Sequence, residues 1–122
     1  MEKKIYITEE ERKKCRKVAD AFAELEDVDV VVVDAGRYGF VKLQYYTPPT
    51  GFENDFTFTD SGALFEDLWE EWLHTQLIML AREMKIDDID YDDIFRQLSG
   101  EKQNELMGRR QHFAEIAGIE TK

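Results

Sequence analysis

At 122 residues, with 43% hydrophobic and 12% aromatic content, the chain is long enough for one domain with a real core and is not disordered in composition. Charged residues make up 35%, and the formal net charge is -11 at a sequence pI near 4.6. Such acidity repels phosphates, so no direct nucleic-acid binding is expected, and basic protein surfaces are the natural partners. The lone cysteine, Cys15, excludes an internal disulfide, and no apolar run reaches the roughly 18–20 residues of a membrane span. The opening "MEKKIYITEEERKK" has no apolar run of signal-peptide length, and a cytoplasmic protein is expected.

The stretch "ITEEERKKCRKVADAFAELED" reads as the first helix. Thr8 followed three residues later by Glu11 is a capping-box pattern. Cys15, Val18, Ala19, Phe22 and Leu25 form one apolar stripe at helical spacing. Glu10 precedes Lys14 by four residues, a favourable order for an ion pair. Cys15 has two readings: a nucleophile activated by Arg12, Lys14 and Arg16, or a small buried hydrophobe on the stripe. The stripe favours the second.

The run "VDVVVVDAG" reads as a buried strand, and Gly36 and Gly39 bracket the turn after it. In "FVKLQYY", Val41, Leu43 and Tyr45 share one phase and Lys42 and Gln44 the other. "TPPTGFEND" reads as loop, because Pro48 and Pro49 lack ladder donors and Gly51 permits a turn. "FTFT" then alternates as a third short strand. These short connections predict an antiparallel meander.

"ALFEDLWEEWLHTQLIMLAREM", opened by Ser61-Gly62, carries the strongest helical signal. Leu64, Leu68, Trp72, Leu73, Leu77, Leu80 and Met84 recur at helical spacing, and Phe65 and Trp69 widen the apolar arc. One short and one longer helix are expected after it, with Gly118 as the final stop. The predicted fold is a single α+β domain over residues 1–122, ordered α-β-β-β-α-α-α. A small antiparallel three-stranded sheet packs on the long central helix and on further helices.

"KIDDIDYDDIF" invites a metal reading. Asp88, Asp90 and Asp92 match calcium-loop positions 1, 3 and 5, but Asp93, Arg96 and Ser99 stand where the loop needs glycine, a ligand and glutamate. A helix start fits better. Asp90 falls at the N-cap, Asp93 three residues on, and Ile89 and Ile94 at staple positions. Asp92 and Asp93 then offset the helix dipole. Asp87 and Asp88 exceed what the cap needs.

His74 and His112 lie on different helices without metal-ligand spacing, and Glu71-Trp72-Leu73-His74 is a single E-x-x-H copy. Phosphate-loop and nucleophile-elbow spacings are absent. No metal, no cofactor and no catalytic residue is therefore expected. The α-β-β-β-α order resembles the double-stranded-RNA-binding domain in outline. However, "DSGALFEDLWEE" is acidic where that family places lysines, so the resemblance implies no RNA binding here.

Acidic residues dominate from Glu53 to Asp93, where the bases are Arg82 and Lys85. The expectation is a non-enzymatic acidic protein-interaction domain, such as an inhibitor or regulator of a basic nucleic-acid-handling protein. Its candidate contacts are Asp87, Asp88, Glu66 and Glu70, with Tyr46 on the polar phase of its strand and Phe52 in the loop. One alternative is a small enzyme or ligand-binding domain whose site assembles only in the tertiary fold. A second is a structural or dimer-forming module that uses surplus apolar surface.

Overall fold

The helix expected after Thr8 forms as α1, Glu9–Phe22, in the computed structural model, which describes residues 6–23, 25, 28–88 and 90–119. Thr8 caps it, with the Glu11 N–H donating to Oγ1 at 3.1 Å. The apolar stripe turns inward: Cys15, Val18, Ala21 and Phe22 are buried. The helix is shorter than its sequence pattern suggests, but Leu25 beyond its end is still buried.

The Glu11 side chain does not close a capping box. It crosses to the next layer, where the Ser61 N–H (3.0 Å) and hydroxyl (3.1 Å) donate to its carboxylate. Ser61 is the first residue of α2, Ser61–Glu83, so α1 helps to satisfy the start of the central helix. Asp60 caps the same end by accepting from the Ala63 N–H at 2.9 Å.

Three strands follow α1: β1 (Val30–Asp34), β2 (Phe40–Tyr45) and β3 (Phe52–Phe58). They pair antiparallel in the order β1-β2-β3, the expected meander. Between β1 and β2, residues Gly36–Tyr38 make a short 3₁₀ turn, closed by Gly39 at φ 104°. A Cβ on Gly39 would run into the Phe58 carbonyl, so that position is confined to glycine by both φ and space. Asp34 holds the turn by accepting from the Gly36 N–H at 2.8 Å, and it pairs with Arg12 and Arg16 of α1.

The sheet corrects two readings. The valine run is not a buried strand. It alternates, with Val31 and Val33 more than 40% exposed and Val30 and Val32 packed against the core. β3 begins at Phe52 rather than after Asp55, so Phe52 is a strand residue and not a loop residue. A register shift opposite Lys42/Leu43 breaks the alternation of β3.

The buried face of β2 is the Phe40–Lys42 phase. Phe40 is 2% and Lys42 4% exposed, while Tyr45 on the opposite phase is 42% exposed. Lys42 is buried because Asp67 and Glu71, one turn apart on α2, take its ammonium at 2.7 and 2.8 Å. The sheet therefore rests on α2 through an ion triad as well as apolar contacts.

The helices α3 (Tyr91–Gln97) and α4 (Gly100–Ala117) complete the order, which matches the α+β expectation. Ser99 caps α4, and Gly118 at φ 71° ends it, with the Ile119 N–H reaching back to the Ala114 carbonyl. Phe113 of α4 stacks on Phe65 of α2 at 4.7 Å and meets Phe22 of α1 at 6.4 Å. Trp69 and Trp72 are buried, as their helical spacing implies.

Two carboxylates tie layers together and set an acid limit. The Ser61 N–H, above all, lowers the pKa of Glu11, with further help from the Ser61 hydroxyl and Lys14. The Gly36 N–H, then Arg12 and Arg16, lower that of Asp34. A depressed folded pKa adds stability above the ordinary value, 4.5 for Glu11 and 3.8 for Asp34. That stability is lost as pH falls through the folded pKa. Urea midpoints measured against pH will thus show a shallower acid limb in Glu11→Gln and Asp34→Asn than in wild type. Identical acid limbs would contradict these roles.

Candidate functional site

The ends of α2 and α4 share one hydrogen-bond pattern and differ in the residue that takes the left-handed position. The Lys85 N–H donates to the Arg82 carbonyl (3.4 Å) and the Ile86 N–H to the Ala81 carbonyl (2.8 Å), the two bonds of a Schellman stop. The left-handed position, φ 57°, is held by Lys85, where α4 uses Gly118. A residue with a Cβ is disfavoured there by about 1–2 kcal/mol. This stop turns the chain so that Ile86 folds back beside Ala81.

Asp87 and Asp88 follow directly. Asp88 accepts from the Asp90 N–H at 3.1 Å and from the Gln97 amide at 3.3 Å, which pins the connection to the far end of α3. Asp90 caps α3 by accepting from the Asp93 N–H at 3.1 Å. Asp92 and Asp93 occupy its first turn, and Asp93 pairs with Arg96. The capping reading of the aspartate run therefore holds. The staple partner of Ile94, Ile89, lies outside the described residues.

Between α2 and α3 this geometry leaves a groove of about 370 Å³. Its lining is Ile78, Ala81, Arg82, Ile86, Asp88, Tyr91 and Ile94. Ala81 and Ile94 are buried and form the floor, while Ile78, at 38% exposure, stands at the side. Ile78, Ala81 and Arg82 lie at i, i+3 and i+4, on one helical face. Tyr91 is fixed by a parallel stack on His74, with ring centroids 3.8 Å apart. The ionic groups of the lining are Arg82 and Asp88. Exposed Asp87 sits between two lining residues, and exposed Asp90 and Asp92 flank a third.

A larger hollow, about 490 Å³, lies on α1 among Glu9, Glu10, Lys13, Lys14 and Lys17. These are five long, exposed side chains of a single helix, so the hollow has no floor from a second element. The groove between α2 and α3 is the better-formed concavity.

The six expected contact residues do not form one site. Asp87 and Asp88 lie at the groove. Glu66 and Glu70 are exposed nearer the start of α2, about 18 and 12 Å before the groove residue Ile78 along a helix rising about 1.5 Å per residue. Glu66 is engaged by Arg110 of α4, whose guanidinium also lies over Phe65. Tyr46 and Phe52 close the β2–β3 hairpin. Both are about half exposed, and Phe52 packs on Tyr45 with centroids 5.2 Å apart. Ile78, Ile86 and Tyr91 are the contributors that sequence reasoning missed.

Other candidate chemistry is not assembled. Cys15 has no exposed surface, and burial, aided by Glu11 and Asp60, pushes its thiol up to about 11. The basic neighbours do not activate it. His74 is committed to Tyr91, and His112 is exposed on α4. Among the described residues, no group of three or more His, Cys, Asp or Glu side chains is placed to hold a metal ion. No described helix is long and apolar enough to cross a membrane. The chain matches no protein-family model and shows no significant similarity to a curated protein or a solved structure.

Proposed function

We propose that this protein is a non-enzymatic interaction domain that binds a basic protein through the acidic surface at the α2–α3 junction. The observation that carries the reading is the groove itself: an apolar floor bordered by Asp87, Asp88, Asp90 and Asp92. Closely spaced carboxylates steer a basic partner and speed its approach, while an apolar floor supplies contact that charge alone does not. The partner would be a basic protein, with nucleic-acid-handling proteins as the natural class because their binding surfaces are basic.

The test is a pull-down from host extract at low and high salt, with wild type beside an Asp87→Lys/Asp92→Lys double variant that leaves the Asp90 cap in place. A protein retained by wild type at low salt, released at high salt and missed by the variant supports the reading. Absence of any partner at low salt, or equal retention by the variant, counts against it.

The sheet favours a second reading, a dimer-forming module. Val31, Val33, Val41, Leu43, Tyr45 and Phe52 share one face by strand register, and none carries a charge. Four of them exceed 40% exposure. Light scattering across a concentration series distinguishes the readings: a mass that doubles, and a Val33→Lys variant that stays monomeric, would favour the dimer.

A further inference from the structure

We infer that the groove accepts one apolar side chain from a basic segment of the partner, an aliphatic or phenyl group flanked on one side by lysine or arginine. The inference rests on the interaction reading above and specifies the partner's chemistry. Three observations lead to it. The floor and walls are aliphatic, from Ile78, Ala81, Ile86 and Ile94. At about 370 Å³ the groove is near the small end of ligand clefts, which run roughly 300–1,000 Å³, and it suits a single anchor. Its polar lining is sparse. Asp88 already accepts two hydrogen bonds, and the Tyr91 ring is held by His74, so few groups remain to orient a polar metabolite.

Charge sets the direction of the segment. Arg82 and Lys85 lie at the α2 side, while Asp87, Asp88, Asp90 and Asp92 lie along the connection and the start of α3. A lysine-bearing flank is repelled from the first side and attracted to the second. The apolar anchor therefore enters over Ala81 and Ile94, and the basic flank runs over the aspartates.

The test uses the full chain, ¹⁵N-labelled, titrated with two synthetic peptides. One carries a single leucine followed by four lysines, and the other has serine in place of the leucine. The leucine peptide should shift the amides of Ile78, Ala81, Ile86, Tyr91 and Ile94, and should bind at least about tenfold tighter than the serine peptide, as expected for one buried apolar side chain. Ile78→Ser, at an exposed position, should remove most of that preference with an unchanged melting temperature. Arg82→Glu should tighten the leucine peptide, and Asp87→Lys should weaken both peptides. If the two peptides bind equally and shift only the amides of residues 87–93, the anchor inference is overturned while the acidic-surface reading stands. If neither peptide shifts any of these amides, both fail.

Discussion

The double substitution Asp67→Asn/Glu71→Gln will destabilise the protein far more than Lys42→Met, although all three changes dismantle the same ion triad. Lys42 is 4% exposed, whereas the Asp67 and Glu71 side chains retain about a quarter of their surface. Without the carboxylates, an ammonium is left beneath the sheet lacking its two anionic partners, a loss of about 3–5 kcal/mol for buried pairs. With methionine at position 42, the carboxylates turn toward water, and an unbranched apolar chain fills most of the space. That change should cost about 1 kcal/mol, by the same argument that apolar replacement of a buried pair is often near neutral. Urea denaturation of both variants checks the order. Equal losses, or a larger loss in Lys42→Met, would mean that solvent reaches the lysine and that the sheet does not depend on the pair.

This triad also shows why part of the fold was not legible in the sequence. The alternation of β2 is legible in its own residues, but which phase faces inward depends on Asp67 and Glu71, some 25 residues further along. Nothing local to "FVKLQYY" marks a lysine as buried when its partners come from another element. The start of β3 was hidden for a related reason. Glu53, Asn54 and Asp55 look like loop, and the register shift opposite Lys42/Leu43 breaks the period-two pattern. Features governed by neighbours in sequence were legible. Thr8 and Asp90 cap their helices, Gly118 takes the left-handed stop, and Leu64, Leu68, Trp72 and Leu77 of α2 face the core.

The groove falls between these cases. Its acidic border was visible, because Asp87 and Asp88 exceeded what a helix cap requires. Its apolar part was not, since Ile78 and Ile94 are sixteen positions apart and meet through the stop at Lys85. A lysine gives no sequence cue for a left-handed residue, whereas a glycine would have. The aromatic candidates were half legible for the opposite reason. Tyr46 and Phe52 are exposed as expected, but they stand on the hairpin and not beside the aspartates.

Phe113→Ala should lower stability by about 3–5 kcal/mol, the loss typical of a buried phenyl group that leaves a cavity. Phe113 is 2% exposed, stacks on Phe65 and reaches Phe22, so one ring joins α4 to both α2 and α1. Phe52→Ala removes the same group at 54% exposure, where it touches Tyr45 on the hairpin, and should shift the urea midpoint only slightly. Measuring the pair under identical conditions separates aromatic residues that maintain the core from those available for contact. A small effect at Phe113 would show that α4 is not integral to the cooperative core. A large effect at Phe52 would show that the hairpin ring is structural. If Phe52→Ala instead keeps its stability and loses a partner that wild type retains, contact extends beyond the groove to the sheet, and the acidic border would be one part of a wider surface.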